Sequence, residues 1–194
     1  MDSHPVPDFA ELIARVATAL SAQGLPFMVI GGQAVLLHGE PRLTQDIDIT
    51  LGAAPSRLPE LIAVCGSAGL RPLPSDLDAF VRETFVLPAV DDGSGIRVDF
   101  IFSVTPYEAQ AIARALSVEV HGASVRFATA EDVILHKLFA GRARDLEDAA
   151  GIVRRKRSQL DWDYLHRWAA EFATVAGREG MTETLRALAG EPER

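Results

Sequence analysis

One cysteine in 194 residues, Cys65, leaves the chain without an internal disulfide or a cysteine-based zinc cage. Its place after the apolar run Leu61-Ile62-Ala63-Val64 fits an inert core thiol. No run is long and apolar enough to span a bilayer, and Met1-Asp2-Ser3-His4-Pro5 lacks the basic then apolar pattern of a signal peptide. The expectation is a cytoplasmic protein with no membrane partner. Positive charge is also scarce. Nineteen Lys and Arg against 27 Asp and Glu give a net charge of −8, which argues against nonspecific nucleic-acid binding by the whole surface but allows a local basic patch. The five histidines are scattered without zinc spacing. No G-x-S-x-G setting supports serine-type hydrolysis, and neither repeats nor low-complexity linkers interrupt the chain.

What is present is an ordinary globular composition, 48% hydrophobic and 24% charged, on a chain long enough for one good core and a small second lobe. Its organising stretch is Val29 to Leu51. The apolar run Phe27 to Ile30 ends in Gly31-Gly32 and a helix-like segment, Gln33 to His38; after a turn at Gly39 to Pro41 the chain re-extends through Asp46-Ile47-Asp48-Ile49. Strand side chains alternate, so Asp46 and Asp48 share one face and Ile47 and Ile49 the other. Paired carboxylates on a strand repel unless a cation neutralises them, and oxygen pairs suit a hard ion such as Mg²⁺. The glycine pair adds backbone N–H groups at a helix start with no Cβ to hold a phosphate away. Together they form a phosphoryl-chemistry pattern.

The periodicity predicts further elements: helices over roughly 9–22 and 56–68, a hairpin of strands 79–90 and 96–102, a helix over 105–115, and a smaller hairpin over 116–120 and 124–128. From residue 130 the pattern is helical, over 130–140, 142–157, 162–175 and 181–189. The fold class is α/β with a mixed sheet, divided into an α/β lobe over 1–128 and a helical lobe over 129–194 that completes the cleft. Asp99 stands on the second strand of the large hairpin among core residues. It either reaches the Asp46/Asp48 pair as a third carboxylate or pairs with Arg97 at a wet sheet edge. On the residues alone, Arg42 and Thr44 can brace the turn into the Asp46 strand and Lys137 can be a partly buried lysine with its amine in solvent. If one helix ran through Gly141, Lys137, Arg144 and Asp148 would share a face. Asp145 and Asp148 are alternatively helix-surface partners of Arg142, Arg144 or Arg155. Arg154-Arg155-Lys156-Arg157 is a basic cluster at a helix C-terminus, favoured there by the dipole or by RNA. Trp162, Tyr164 and Trp168 have the spacing of helix packing.

In Gly31-Gly32, Arg42-x-Thr44-x-Asp46-x-Asp48, Arg97-Val98-Asp99-Phe100, Lys137 and Arg144-Asp145-x-x-Asp148, the chain resembles the polymerase-β-type nucleotidyltransferase superfamily. The resemblance is strongest to its branch around the AbiEii and MenT-like toxins. It covers roughly residues 25 to 150 and departs where many relatives carry Gly-Ser in place of Gly31-Gly32. It implies transfer of a nucleoside monophosphate from an NTP, ATP among them, to an acceptor hydroxyl. Asp46, Asp48 and Asp99 would hold two Mg²⁺ ions, or Mn²⁺, and Asp99 would act as or beside the general base. Gly31 and Gly32 would take the β and γ phosphates, with Lys137 and Arg42 neutralising phosphate charge. Thr44, Arg144, Asp145 and Asp148 would belong to the nucleotide side. The implied acceptor is RNA, a tRNA 3′ end in a toxin–antitoxin pair with an antitoxin protein as partner. The alternatives are an aminoglycoside-like antibiotic acceptor and a non-catalytic nucleotide- or protein-binding module of the same fold.

Overall fold

The computed structural model describes residues 8–190, and these divide into two compact units: residues 8–33 with 43–127, and residues 34–42 with 128–190. The Met1 to Pro5 segment lies outside the described residues. In the first unit, α1 (Phe9–Ala22) starts where the Asp8 carboxylate accepts from the Glu11 N–H at 3.0 Å. Leu12, Ile13, Val16 and Leu20 recur on its buried face, which packs on the sheet and on α3 (Leu58–Ala68). Pro59 sits in the first turn of α3, and Gly69 ends it at φ +70°, a left-handed conformation that glycine adopts without a Cβ clash.

The sheet has seven strands: β1 (Phe27–Ile30), β2 (Asp46–Leu51), β3 (Leu70–Pro72), β4 (Val86–Asp91), β5 (Arg97–Phe102), β6 (Leu116–Val120) and β7 (Ala123–Phe127), in spatial order β3-β4-β5-β2-β1-β7-β6. It is mixed, as expected. The pairs β2–β5 and β1–β7 are parallel and the others antiparallel. A parallel partner needs a crossover, and the chain between β2 and β5 supplies one, containing α3, β3, α4 (Leu77–Thr84) and β4. α2 (Gly31–His38) follows β1 directly, and α5 (Pro106–Arg114) precedes the β6–β7 hairpin.

One expectation is corrected here, and one element is added. The strand read over 79–90 begins only at Val86: Leu77–Thr84 is a helix, capped by the Asp76 carboxylate on the Ala79 N–H at 2.9 Å and ended by Phe85 at φ +58°. Phe, Val and Thr there suggested a strand, but the cap and a single buried Val81 make an amphipathic helix. The short edge strand β3 was not anticipated, because three residues carry no periodicity to read.

The second unit contains α6 (Ala130–Ala140), α7 (Ala143–Lys156), α8 (Trp162–Phe172) and α9 (Met181–Ala189), besides most of α2. α6 contacts α7, α8 and α9. Buried hydroxyl contacts from Thr129 at 2.8 Å and Tyr164 at 2.7 Å satisfy both oxygens of Asp132, which is fully buried in α6. The continuous helix through Gly141 is not formed. Gly141 adopts φ +71° and its N–H caps the Lys137 carbonyl, ending α6 before α7 begins.

Candidate active site

The acids are placed by the register of the first unit's central strands. Asp48 is paired with Ile30 of antiparallel β1 on one side and is level with Asp99 of parallel β5 on the other; Asp46 is level with Arg97. In-register parallel partners point to the same side, so Asp46, Asp48, Asp99 and Arg97 share one face. The opposite face carries Ile47, Ile49, Val98 and Phe100, each at most 1% exposed. Burial of such side chains contributes about 1.5–3 kcal/mol each, which fixes the strand orientation, since a one-residue slip would bury the carboxylates and expose the core. The three acids remain half-buried.

Gly31, the first residue of α2 after β1, closes this face. Its φ is +62°, and a Cβ built on it would lie 1.9 Å from Asp48 Oδ2, so neither the backbone nor the space accepts a side chain. Gly32 follows, buried, in the first turn of α2. Thr44 Oγ1 lies 3.3 Å from both the Asp46 carbonyl and Asp46 Oδ1, bracing the entry to β2. Arg97 Nε donates to Asp99 Oδ1 at 2.8 Å. Hydrogen bonding to Asp99 raises the guanidinium's pKa above its ordinary value, and the charges of Asp99, Asp46 and Asp48 add to the effect. Among the described residues no three acid or imidazole side chains are already drawn together as a metal cage. Three carboxylates on one face, beside a glycine cradle that a Cβ would fill, nevertheless fit a hard divalent ion.

The second unit contains a separate ion network. Lys137 Nζ, in α6, donates to Asp145 Oδ1 at 2.8 Å and lies 3.0 Å from Asp148 Oδ2. Arg42 grips Asp148 with a two-pronged fork, 2.8 Å from Nε and 2.9 Å from Nη2, and Arg142 Nε meets Asp145 Oδ2 at 2.5 Å. Burial raises the pKa of Asp145, but hydrogen bonds from Arg142 and Lys137 outweigh it and hold the carboxyl below the usual carboxylate range. Lys137 therefore does not present an isolated ammonium, as a simple phosphate ligand would; it is buried and shared between two carboxylates. Arg144 is exposed on α7. In the basic cluster, Arg154 binds Glu40 at 2.7 Å, while Arg157 donates to the Ala189 carbonyl and lies over the Trp162 ring.

Sequence reasoning did not find the Arg42–Asp148 fork, since nothing local connects residues 106 positions apart. The Arg97–Asp99 contact was one of its two readings, from the same-face spacing of two residues on a strand.

A seven-stranded mixed sheet with helices, carrying acids on neighbouring central strands, has the nucleotidyltransferase fold. The crystal structure of ANT(2″)-Ia in complex with adenylyl-2″-tobramycin is similar at TM-score 0.57 and 20% identity, over 85% of this chain and 97% of that one. The solution structure of the same antibiotic-resistance factor gives 0.55 and 19%, over 92% and 91%. An antigenic nucleotidyltransferase-like protein from Paracoccidioides brasiliensis gives 0.52 and 13%, over 92% of each chain. The chain belongs to the family described as nucleotidyltransferase of unknown function (DUF6036), whose model matches residues 8–188. It is thus a transferase of the nucleotidyl class, with an NTP as donor substrate. A search of the curated proteins finds no match. Among the described residues no helix is long and apolar enough to cross a membrane.

Proposed function

We propose that the chain transfers a nucleoside monophosphate from an NTP to an acceptor hydroxyl on the face formed by Asp46, Asp48 and Asp99. The observation that carries this is the register placing Asp48 level with Asp99 while its carboxylate fills the space a Gly31 side chain would need. Asp46, Asp48 and Asp99 would hold Mg²⁺, which when bound neutralises phosphate oxygens and acidifies the attacking hydroxyl. Asp99 accepts the proton as the acceptor oxygen bonds to the α-phosphorus; the bond from the α-phosphorus to the bridging oxygen breaks, and pyrophosphate leaves. Gly31 and Gly32 offer backbone N–H groups at the start of α2 to the β and γ phosphates. Arg42, Lys137 and Arg142 bring guanidinium and ammonium groups to Asp145 and Asp148. Those cations support a nucleotide-side role for Arg42, Lys137, Asp145 and Asp148, alongside Thr44 and Arg144.

For the acceptor, the Lys137 and Arg144-Asp145-x-x-Asp148 motifs support the AbiEii/MenT-like branch and hence a tRNA 3′ end, within a toxin–antitoxin pair. A second reading, a cationic aminoglycoside-like acceptor, is favoured by the net charge of −8 and by the engagement of Arg154 and Arg157 in internal contacts. Purified protein incubated with Mg²⁺, each labelled NTP and either total tRNA or an aminoglycoside panel separates the two, because label should stay on one acceptor class. Asp48→Asn and Asp99→Asn should each lower turnover at least about a hundredfold with the thermal unfolding midpoint retained. Full activity in either variant removes these acids from the chemistry.

A further inference from the structure

The geometry points to Arg97 as a tethered counter-cation on Asp99 that a divalent ion must displace in order to bind. This rests on the reading of Asp46, Asp48 and Asp99 as metal ligands. Three carboxylates gathered on one sheet face repel one another, and a positive charge nearby relieves that repulsion. Arg97 is level with Asp46 on that face and its Nε takes Asp99 Oδ1 at 2.8 Å. One Asp99 oxygen is thus engaged by the guanidinium.

The pair is suited to exchange. The Arg97 side chain is 52% exposed against 19% for Asp99, so the guanidinium can swing into solvent while the carboxylate keeps its place on the strand. An ion pair this exposed is weak and readily displaced. A divalent ion must take over the oxygen that Arg97 occupies and also overcome the repulsion of a resident positive charge. Arg97 thereby lowers the affinity for metal alone. An incoming triphosphate brings negative charge that the displaced guanidinium can meet, so Arg97 makes metal and nucleotide binding mutually reinforcing. A lysine keeps the charge but loses the guanidinium's delocalised hydrogen-bonding plane.

The test is a titration with Mn²⁺, followed by the loss of the free-ion electron paramagnetic resonance signal, on wild-type protein, Arg97→Gln, Arg97→Lys and Asp48→Ala, with and without a non-hydrolysable NTP analogue. Arg97→Gln should bind Mn²⁺ alone about fivefold more tightly than wild type, the equivalent of the upper end of an exposed ion pair. It should also show a smaller tightening on addition of the analogue, while Arg97→Lys stays close to wild type. Circular dichroism of each variant confirms that it is folded. If wild-type binding depends on Asp48 but Arg97→Gln binds Mn²⁺ no more tightly, the counter-cation role is overturned and the metal reading stands. If Asp48→Ala binds Mn²⁺ as wild type does, or no Asp48-dependent binding occurs in any variant, the metal reading itself fails.

Discussion

Gly31 shows how much of the site hangs on one missing methyl group. At φ +62° an L side chain meets its own backbone, at a cost of about 1–2 kcal/mol, but the larger effect lies outside the residue. An alanine Cβ would sit 1.9 Å from Asp48 Oδ2, closer than any non-bonded contact allows, so the carboxylate must turn away or β1 must shift. Gly31→Ala should therefore lose at least about tenfold in turnover and about 1–3 kcal/mol in stability. Steady-state kinetics and urea unfolding of the same preparation would check both. Alanine at the exposed Gly66 within α3, where nothing lies within 4 Å of an added Cβ, should leave turnover unchanged and raise stability by about 0.5–1 kcal/mol.

At the scale of the element, β2 and β5 divide their labour by alternation: one face holds carboxylates in place because the other is fully committed to the core. In the helical unit α6 and α7 bury apolar side chains, among them Ile134, Leu138, Ala149 and Ile152, and an ion network joins the two helices beside them. Asp148 accepts the Arg42 fork and shares Lys137 with Asp145, and its side chain is 6% exposed. Removing it takes the fork from Arg42 and one of two carboxylates from buried Lys137, so Asp148→Ala should destabilise the protein by about 3 kcal/mol. Chemical denaturation with tryptophan fluorescence would measure this, since Trp162 and Trp168 both lie in α8 of the same unit. A loss of turnover without that destabilisation would instead separate Asp148 from the network and assign it to the chemistry.

For the whole molecule, stability should respond to acid in two stages. His38 is 2% exposed, and its Nε2 donates to the Ala128 carbonyl at 2.7 Å. Burial is the main cause of its lowered pKa, with the Lys156 charge acting the same way, while the Ala128 contact and Glu131 oppose them. Its folded value lies below the unfolded value of 6.5, so the unfolded chain takes up the proton first. The contribution of His38 is complete above pH 6.5 and is lost as pH falls through its folded value. Asp145 acts lower on the scale. Its folded value lies below 3.8, so its contribution is present above that pH and disappears as acid titrates it. Thermal unfolding by circular dichroism should show a midpoint that falls between pH 7 and pH 5, and His38→Gln should flatten that part of the curve.

Much of this was legible in the chain itself, because alternation and capping are local. Asp46-Ile47-Asp48-Ile49 and Arg97-Val98-Asp99-Phe100 announce one acidic and one apolar face wherever they lie, and the helices read over 9–22, 105–115 and 130–140 are formed. Local signals were misread where two states share a composition, as in Leu77–Thr84. What no local rule could supply is proximity. That Asp48 lies between Ile30 and Asp99, that its carboxylate fills the place of a Gly31 side chain, and that Arg42 closes on Asp148 are consequences of strand order and packing between distant segments. Sequence alone settled which residues could bear charge on a common face; the tertiary structure decided which charges meet, because electrostatic partnership depends on distance in space and not on separation along the chain.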